Sequence, residues 1–444
     1  MAQTISEYLI QGFATSKEIQ AATGLSQTAV SRQVRGMGDA VASLPTGRPP
    51  KYALTRNAFG GSNKLPLAMV DAHGNTVLAA VIRPLLPSGF LVEPATGMPQ
   101  VLMGANGSGL YEDLPYFLHD LAPQGFLGRQ IAAELSSQST DFPPDPRHWS
   151  TNHIGRYLIS NGDDLPGNFK FGEQALSRIR RKPVLTTEAD YPKLADAVIS
   201  GVIPGSSAGG EQPKFTAFCG TRSAHVIVKF SPVGNNDVAR RWRDILITEF
   251  HATEALHGAN FPAAETRLLE IDGRLFLESQ RFDRTGEFGR MPMLSLQAID
   301  SEFTGIGSDW SRVVDALHKK NLMVWQHVYD ATCLWWFGRY INNSDMHLGN
   351  LSFSIDGGVF RLLPVYDMCS MGFAPKSGGE VLPYNFLPPE YSGINLGVDS
   401  QKLVKKMAHN FWERVANDER ISDEFRAYLA LGNPMNRAEK DGTL

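Results

Sequence analysis

The segment Asn342-Asn343-Ser344-Asp345-Met346-His347-Leu348-Gly349-Asn350, followed after a short interval by Val365-Tyr366-Asp367, constrains this chain more than any other part of it. It sets an Asp, an Asn five residues on, and a second Asp beyond two short apolar stretches. Phosphoryl transfer from ATP uses that order: one carboxylate orients a hydroxyl, while an amide oxygen and another carboxylate hold the divalent ions that bridge the phosphates. The flanks predict where these groups sit. Trp325 to Ile341 is apolar with no Gly or Pro until Gly338, which predicts a largely buried helix feeding the Asn-Ser-Asp turn. Leu351 to Ile355 alternates as a strand, Asp356-Gly357-Gly358 is a hairpin turn, and Val359 to Leu363 returns antiparallel. Asp345 and Asn350 then lie at the hairpin entrance and Asp367 just past its exit. Taken alone, Asp-x-His-x-x-Asn also reads as a polar turn with a capping Asp.

An ATP site further needs a backbone-rich loop and a lysine for the phosphates. Ser206-Ser207-Ala208-Gly209-Gly210-Glu211-Gln212-Pro213-Lys214 has the small residues for close backbone approach. It precedes a strand at Phe215 to Phe218, a turn at Gly220-Thr221-Arg222, and a second strand from His225 to Phe230. Lys229 stands inside that apolar strand, where burial is costly unless a carboxylate or phosphate meets it. An edge-strand lysine that blocks pairing with other chains is the alternative reading. The helix expected from Arg241 to Leu256 offers Glu249 as a partner, with Asp244 and Glu254 as rivals.

These pieces, with Gln280-Arg281-Phe282-Asp283-Arg284, together resemble the HipA-like serine/threonine kinases, toxins of bacterial toxin–antitoxin systems. The likeness runs from about Leu65 to Leu431. It implies an α+β, two-lobed protein-kinase-like fold with ATP and Mg²⁺ as cofactors. By the same resemblance Asp345 is the catalytic carboxylate, and Asn350 and Asp367 hold Mg²⁺. ATP is met by Ser207, Ala208, Gly209, Gly210, Lys214 and Lys229, by the hinge residues Gln280, Arg281 and Phe282, and by His347 and Tyr366. Position 280 is Gln where the family usually shows Glu. Ser207, with Ser206 beside it, aligns with the serine such kinases phosphorylate on themselves; a phosphoserine there would set nearly two negative charges against the ATP phosphates. The resemblance also implies a protein substrate such as a translation factor or an aminoacyl-tRNA synthetase, and a HipB-like antitoxin.

The N-terminus carries a different signal. Thr15-Ser16-Lys17-Glu18 is a capping box, Gly24 breaks the helix, and Ser26 caps a second helix from Gln27 to Met37. Val30, Val34 and Met37 face inward; Gln27, Thr28, Ser31, Arg32 and Arg35 face outward. Gly47 to Leu54, with Arg48 and Lys51, can form a basic hairpin, so the segment reads as a winged helix-turn-helix. Residues 1–56 carry a net charge of +3 within a chain of formal charge −4, which points to nucleic-acid phosphate as a partner. A helical module for protein contact is the alternative. Fusion of such a module to the kinase resembles the subgroup that includes HipH.

Length fits several domains: 444 residues exceed what one core usually holds. The expected organisation is a winged helix-turn-helix at 1–60, a HipA-type N-terminal subdomain at 61–150, a kinase N-lobe with phosphate loop, lysine and hinge at 151–285, and a mainly helical C-lobe at 286–444. Phe59 to Asn63 reads as a linker, strands are expected at Leu67 to Val70 and Thr76 to Arg83, and a helix over Leu110 to Leu121. Cys219, Cys333 and Cys369 lack metal spacing and suit a reducing cytoplasm. No targeting leader is expected, and the longest apolar stretch falls well short of the ~20 residues a spanning helix needs, so no membrane partner is expected. Pro375 to Pro389 occupies the place of an activation or substrate loop, or else is an irregular surface loop. The residues thus point to a toxin kinase acting on protein serine or threonine, with DNA binding at its N-terminus. A small-molecule kinase, a DNA-binding regulator with a non-catalytic kinase fold, and a metal-dependent DNA-cleaving toxin remain as rivals.

Overall fold

Reciprocal caps start the chain. The Thr4 and Thr15 hydroxyls accept the N–H of the Glu three residues on, and the Glu7 and Glu18 carboxylates accept the threonine N–H at 2.8 and 2.7 Å. In the computed structural model, which describes residues 3–45, 47–200, 212–376, 379–386, 394 and 396–440, these caps open α1 (Ile5–Leu9) and, after β1 (Ala14–Thr15), α2 (Ser16–Thr23). Gly24, at φ +71°, ends α2, and the Ser26 hydroxyl caps α3 (Gln27–Gly36). β2 (Val41–Leu44) and β3 (Lys51–Leu54) complete a sheet ordered β1-β3-β2. The basic segment from Gly47 is therefore the tip and returning arm of a hairpin whose first arm starts at Val41. Ile5, Leu9, Ala14, Ile19, Val30 and Leu54 form the core. The module thus runs α1, β1, α2 and α3 and then the β2–β3 hairpin.

The chain continues into an antiparallel sheet of β4 (Leu65–Val70), β5 (Thr76–Pro84), β6 (Phe90–Pro94), β7 (Leu110–Tyr111) and, later, β8 (Phe169–Phe171), ordered β7-β6-β5-β4-β8. α4 (Tyr116–His119), α6 (Thr151–Asn161) and α7 (Glu173–Ser177) accompany it, while α5 (Gly125–Gln138) belongs elsewhere. By contacts, residues 1–122 and 147–181 form one unit, and residues 123–146 and 182–444 the other.

Two expectations fail in the first unit. Phe59 to Asn63 is not a linker: Phe59 is buried, stacks on Phe90 at 5.7 Å and meets Phe171 edge-on at 6.1 Å. A Cβ on Gly155 would strike its ring, so the close approach needs a glycine there. The helix expected over Leu110 to Leu121 shrinks to α4. Leu110 and Tyr111 pair with Leu91 and Phe90 as a strand, and Pro115 lies just before α4. Tyr111, Leu114, Phe117, Leu118 and Leu121 are nevertheless all buried, so the apolar spacing marked the core and misassigned the element.

One arginine joins the N-terminal module to this sheet. Arg83 of β5, buried, donates to the carbonyls of Asp39 (2.6 Å) and Asn63 (2.9 Å) and approaches Glu93 at 3.3 Å. Lys64 pairs with Asp39 at 2.6 Å, and Thr55 bridges to Leu85.

The second unit begins with β9 (Leu185–Thr186) and α8 (Tyr191–Ser200). β10 (Lys214–Cys219), β11 (Ala224–Phe230), β12 (Thr266–Ile271) and β13 (Arg274–Gln280) complete a sheet ordered β12-β13-β11-β10-β9. One face packs Phe215, Val226, Val228, Phe230 and Phe276 on Tyr191 and Ala195. The long α9 (Asp237–Gly258) links β11 to β12. β14 (Arg284–Thr285) and β15 (Gly289–Arg290) pair beyond the hinge, and β16 (Leu294–Ser295) leads into α10 (Leu296–Phe303), α11 (Trp310–Lys319) and α12 (Trp325–Tyr340). β17 (Ser352–Asp356) and β18 (Val359–Leu362) form the expected hairpin, and α13 (Val398–Ala416), α14 (Asp423–Ala430) and α15 (Pro434–Lys440) close the helical part.

Arg83→Met would remove the buried guanidinium's hydrogen bonds to the Asp39 and Asn63 carbonyls and should cost about 1–3 kcal/mol in urea unfolding, with earlier proteolysis between residues 55 and 64. An unchanged urea midpoint and protease pattern would refute the joint.

Candidate active site

β10 and β11 pair so that Lys214 stands opposite Lys229. Strand alternation does the rest: Val228 and Phe230 enter the apolar core, so Lys229 emerges on the other face, toward α9. There its Nζ lies 2.6 and 2.5 Å from the two oxygens of Glu249 and 2.7 Å from Asp367 Oδ1. Of the three acidic residues considered on the helix, Glu249 is the partner; Asp244 serves another contact. Lys214 Nζ is 3.9 Å from Asp367 Oδ2.

One ammonium thus serves two carboxylates. Burial opposes the charge on Lys229, but Asp367 and Glu249 outweigh it and raise its pKa above the ordinary lysine value. Burial also opposes the charge on Asp367, yet Lys229 and then Lys214 hold its carboxyl well below the usual range. Glu249 goes the other way: burial pushes its carboxyl up despite Lys229, and Asp367 adds to the push.

The helix α12 delivers the second cluster. Asn343, buried, accepts the Asp345 N–H on Oδ1 at 3.0 Å, and its Nδ2 reaches the Asp367 carbonyl at 3.5 Å. Asn350 Nδ2 donates to the Asp345 carbonyl at 2.7 Å and lies 3.4 Å from Asp345 Oδ2. The Asp345 carboxylate is half exposed, and His347 Nε2 lies 3.7 Å from its Oδ1. Gly349 N–H donates to His347 Nδ1, which in the neutral ring puts the proton on Nε2, facing Asp345. Trp310 Nε1 donates to the His347 carbonyl at 3.0 Å. Asp367 sits at φ +55°, in the left-handed region that costs a non-glycine on the order of 1 kcal/mol.

The segment Gln280 to Arg284 touches the same turn. Asp283 is gripped by Arg281, at 3.0 and 2.9 Å, and by Arg284. The Phe282 ring packs 5.9 Å from Tyr366, whose hydroxyl donates to the Gly349 carbonyl at 3.0 Å and meets Ser352 Oγ at 2.7 Å. The N–H groups of Gln280 and Arg281 are used in the sheet, on Glu265 and His225.

Lys214, Lys229, Asp367, Asp345, His347, Asn350, Phe282 and Tyr366 are therefore joined by a chain of contacts. Ser206, Ser207, Ala208, Gly209 and Gly210 lie outside the described residues. Gln27, Thr28, Ser31, Arg32, Arg35, Arg48 and Lys51 are all exposed, on α3 and on the hairpin of the first unit. Asn343 and Trp310 were missed as contributors; a second Asn two residues before an Asp is the signal for a side chain that caps the turn.

Comparison with known proteins fits this geometry. Residues 206–429 match the HipA-like C-terminal domain, and residues 61–180 match the YjjJ-like toxin, middle domain. Over 432 residues the chain is 35% identical to Toxin YjjJ of Escherichia coli (strain K12), covering 95% of this chain and 94% of that one. The chain belongs to the HipA-like toxin family. A chain from the Shewanella oneidensis MR-1 toxin–antitoxin complex of HipA, HipB and operator DNA superposes on this HipA-like toxin with a TM-score of 0.56. It shares 14% identity over 85% of this chain and 97% of that one, a likeness of fold. This HipA-like toxin therefore shares the fold of that HipA chain.

The donor set suits a hard divalent cation: Asp367 is held ionised, and Asn350, with its amide nitrogen on Asp345, has its oxygen to offer. Glu188, Cys219 and Glu278 also cluster among the described residues, but Arg267, Arg222, Tyr191 and Thr221 occupy those carboxylates, which makes the group an ion-pair network.

A carboxyl held below its unfolded pKa contributes stability that is present above the unfolded value and lost as pH falls through the folded one. Wild type should therefore exceed Asp367→Asn in urea midpoint at pH 7, with the gap closing progressively below about pH 4. A gap independent of pH would refute the ion pair.

Proposed function

We propose that this HipA-like toxin is an ATP-dependent kinase that transfers the γ-phosphoryl group to a serine or threonine of a protein, and that its N-terminal winged helix-turn-helix binds DNA. The observation that carries the first part is the meeting of Lys229, Glu249 and Asp367, tied through Asn343 to the turn that bears Asp345 and Asn350.

In this reading the half-exposed Asp345 accepts a hydrogen bond from the acceptor hydroxyl and orients it, with His347 at its side. Lys229 and Lys214 have the charge to steady the phosphates, and Glu249 keeps Lys229 in place. Asn350 and Asp367 would hold Mg²⁺, which when bound neutralises charge on the phosphate oxygens. For adenine, the N–H groups of Gln280 and Arg281 are already committed, so Phe282 and the hinge carbonyls are what this segment offers. Ser207, with Ser206 beside it, is the proposed site of autophosphorylation.

For the second part, Arg32 and Arg35 on the outer face of α3, with Arg48 and Lys51 on the hairpin, supply the phosphate and base contacts, helped by Gln27, Thr28 and Ser31. That a solved neighbour was captured with HipB and operator DNA supports an antitoxin and DNA as partners. The protein substrate, a translation factor or aminoacyl-tRNA synthetase, rests on family resemblance. Free, buried Cys219, Cys333 and Cys369 accord with a cytoplasmic location. No helix among the described residues is long and apolar enough to cross a membrane.

Asp345→Asn should retain the wild-type fold and lose phosphoryl transfer by about 10³-fold or more. Phosphopeptide mass spectrometry after brief expression of both proteins reads this directly, and equal phosphorylation would reject the kinase. Replacing Arg32 and Arg35 together by Ala should weaken DNA binding and lower the salt slope by about 2 if both meet phosphate. Unchanged binding would point to a protein-contact module.

A further inference from the structure

The helix that carries Glu249 does more than pair with Lys229. Along one stripe of α9, at intervals of three and four residues, stand Arg241, Asp244 and Thr248, and each holds the chain that follows Asp367. Thr248 Oγ1 accepts the Ser370 N–H at 3.2 Å. Arg241 donates to the Phe373 carbonyl at 3.0 Å. Asp244 accepts the Tyr384 hydroxyl at 2.5 Å.

Tyr384 sits in a built pocket. The Arg241 guanidinium lies 3.6 Å from its ring centroid, and Phe425 stacks on the ring at 4.3 Å with 7° between planes. Asp244 is completed by Ser422, through N–H at 2.8 Å and Oγ at 2.6 Å. Burial pushes the Asp244 carboxyl up against the Ser422 and Tyr384 hydrogen bonds, so the contact costs desolvation that a loose surface loop would have no reason to bear. Asp367, meanwhile, needs outside support for its left-handed backbone.

We propose that Asp244 and Tyr384 are positioning residues: they anchor the chain after Asp367 to α9, so that this carboxylate and the Lys229–Glu249 pair are set by one helix. The inference rests on the kinase reading for its consequence, the binding of Mg²⁺ with nucleotide, but its structural half stands apart. It assigns Tyr384 as a fixed anchor rather than part of a segment that awaits ordering.

The test uses the full chain, with Tyr384→Phe and Asp244→Asn as variants and Ser422→Ala as control, since that change removes an Asp244 partner and leaves Tyr384 in place. Hydrogen exchange across residues 379–386 should rise in the first two. The Mg²⁺ concentration that half-saturates binding of a fluorescent ATP analogue should rise about fivefold, the effect of one lost hydrogen bond, and saturating Mg²⁺ should restore binding. Ser422→Ala should leave that concentration near wild type. Unchanged exchange in folded Tyr384→Phe, an unchanged Mg²⁺ requirement in both variants, or an equal shift in Ser422→Ala would each overturn the proposal. Wild-type protein that binds nucleotide with Mg²⁺ but transfers no phosphate would sink the kinase reading alone, because neither readout here requires turnover.

Discussion

A single buried ammonium organises the second unit. Lys229 could not stand inside an apolar strand unless its charge were met, and it is met twice, by Glu249 from α9 and by Asp367 from beyond the β17–β18 hairpin. Three segments far apart in sequence must therefore arrive together. The two carboxyls are also set apart: Lys229 and Lys214 hold Asp367 well below the usual carboxylate range, while burial pushes the more enclosed Glu249 up.

Around that centre the polar contacts form a continuous chain. Asn343 spans from the Asp345 backbone to the Asp367 carbonyl, Tyr366 runs from the hinge phenylalanine to the Gly349 carbonyl, and Trp310 holds the His347 carbonyl. Each of these side chains holds a backbone group. A turn built this way keeps its shape while the Asp345 carboxylate stays half exposed. The first unit follows a similar rule. Arg83 uses its guanidinium on main-chain carbonyls, and this turns an expected linker into part of a core that also buries Phe59.

Local rules served where the physics is local. The capping box at Thr15, the break at Gly24, the hairpin turn at Asp356-Gly357-Gly358 and the buried helix before Asn342 depend on neighbours within a few residues, and all were legible. The reading failed at Leu110 to Leu121, where buried side chains recur at helical spacing although Leu110 and Tyr111 are a strand. Pairing with β6 overrode the local pattern. It failed again at Phe59 to Asn63, where Gly and Ser suggested a linker and a distant aromatic cluster decided otherwise.

By itself, then, the order of residues determined which groups could do chemistry: an Asp and Asn five apart, a later Asp, a lysine in an apolar strand, and a basic outer face on the second N-terminal helix. Those follow from residue type and spacing. Only the tertiary structure chose among equals. It paired Lys229 with Glu249 and sent Asp244 to Tyr384 and Ser422, because which carboxylate meets an ammonium depends on how a helix is rotated against a sheet, and no local rule specifies that rotation.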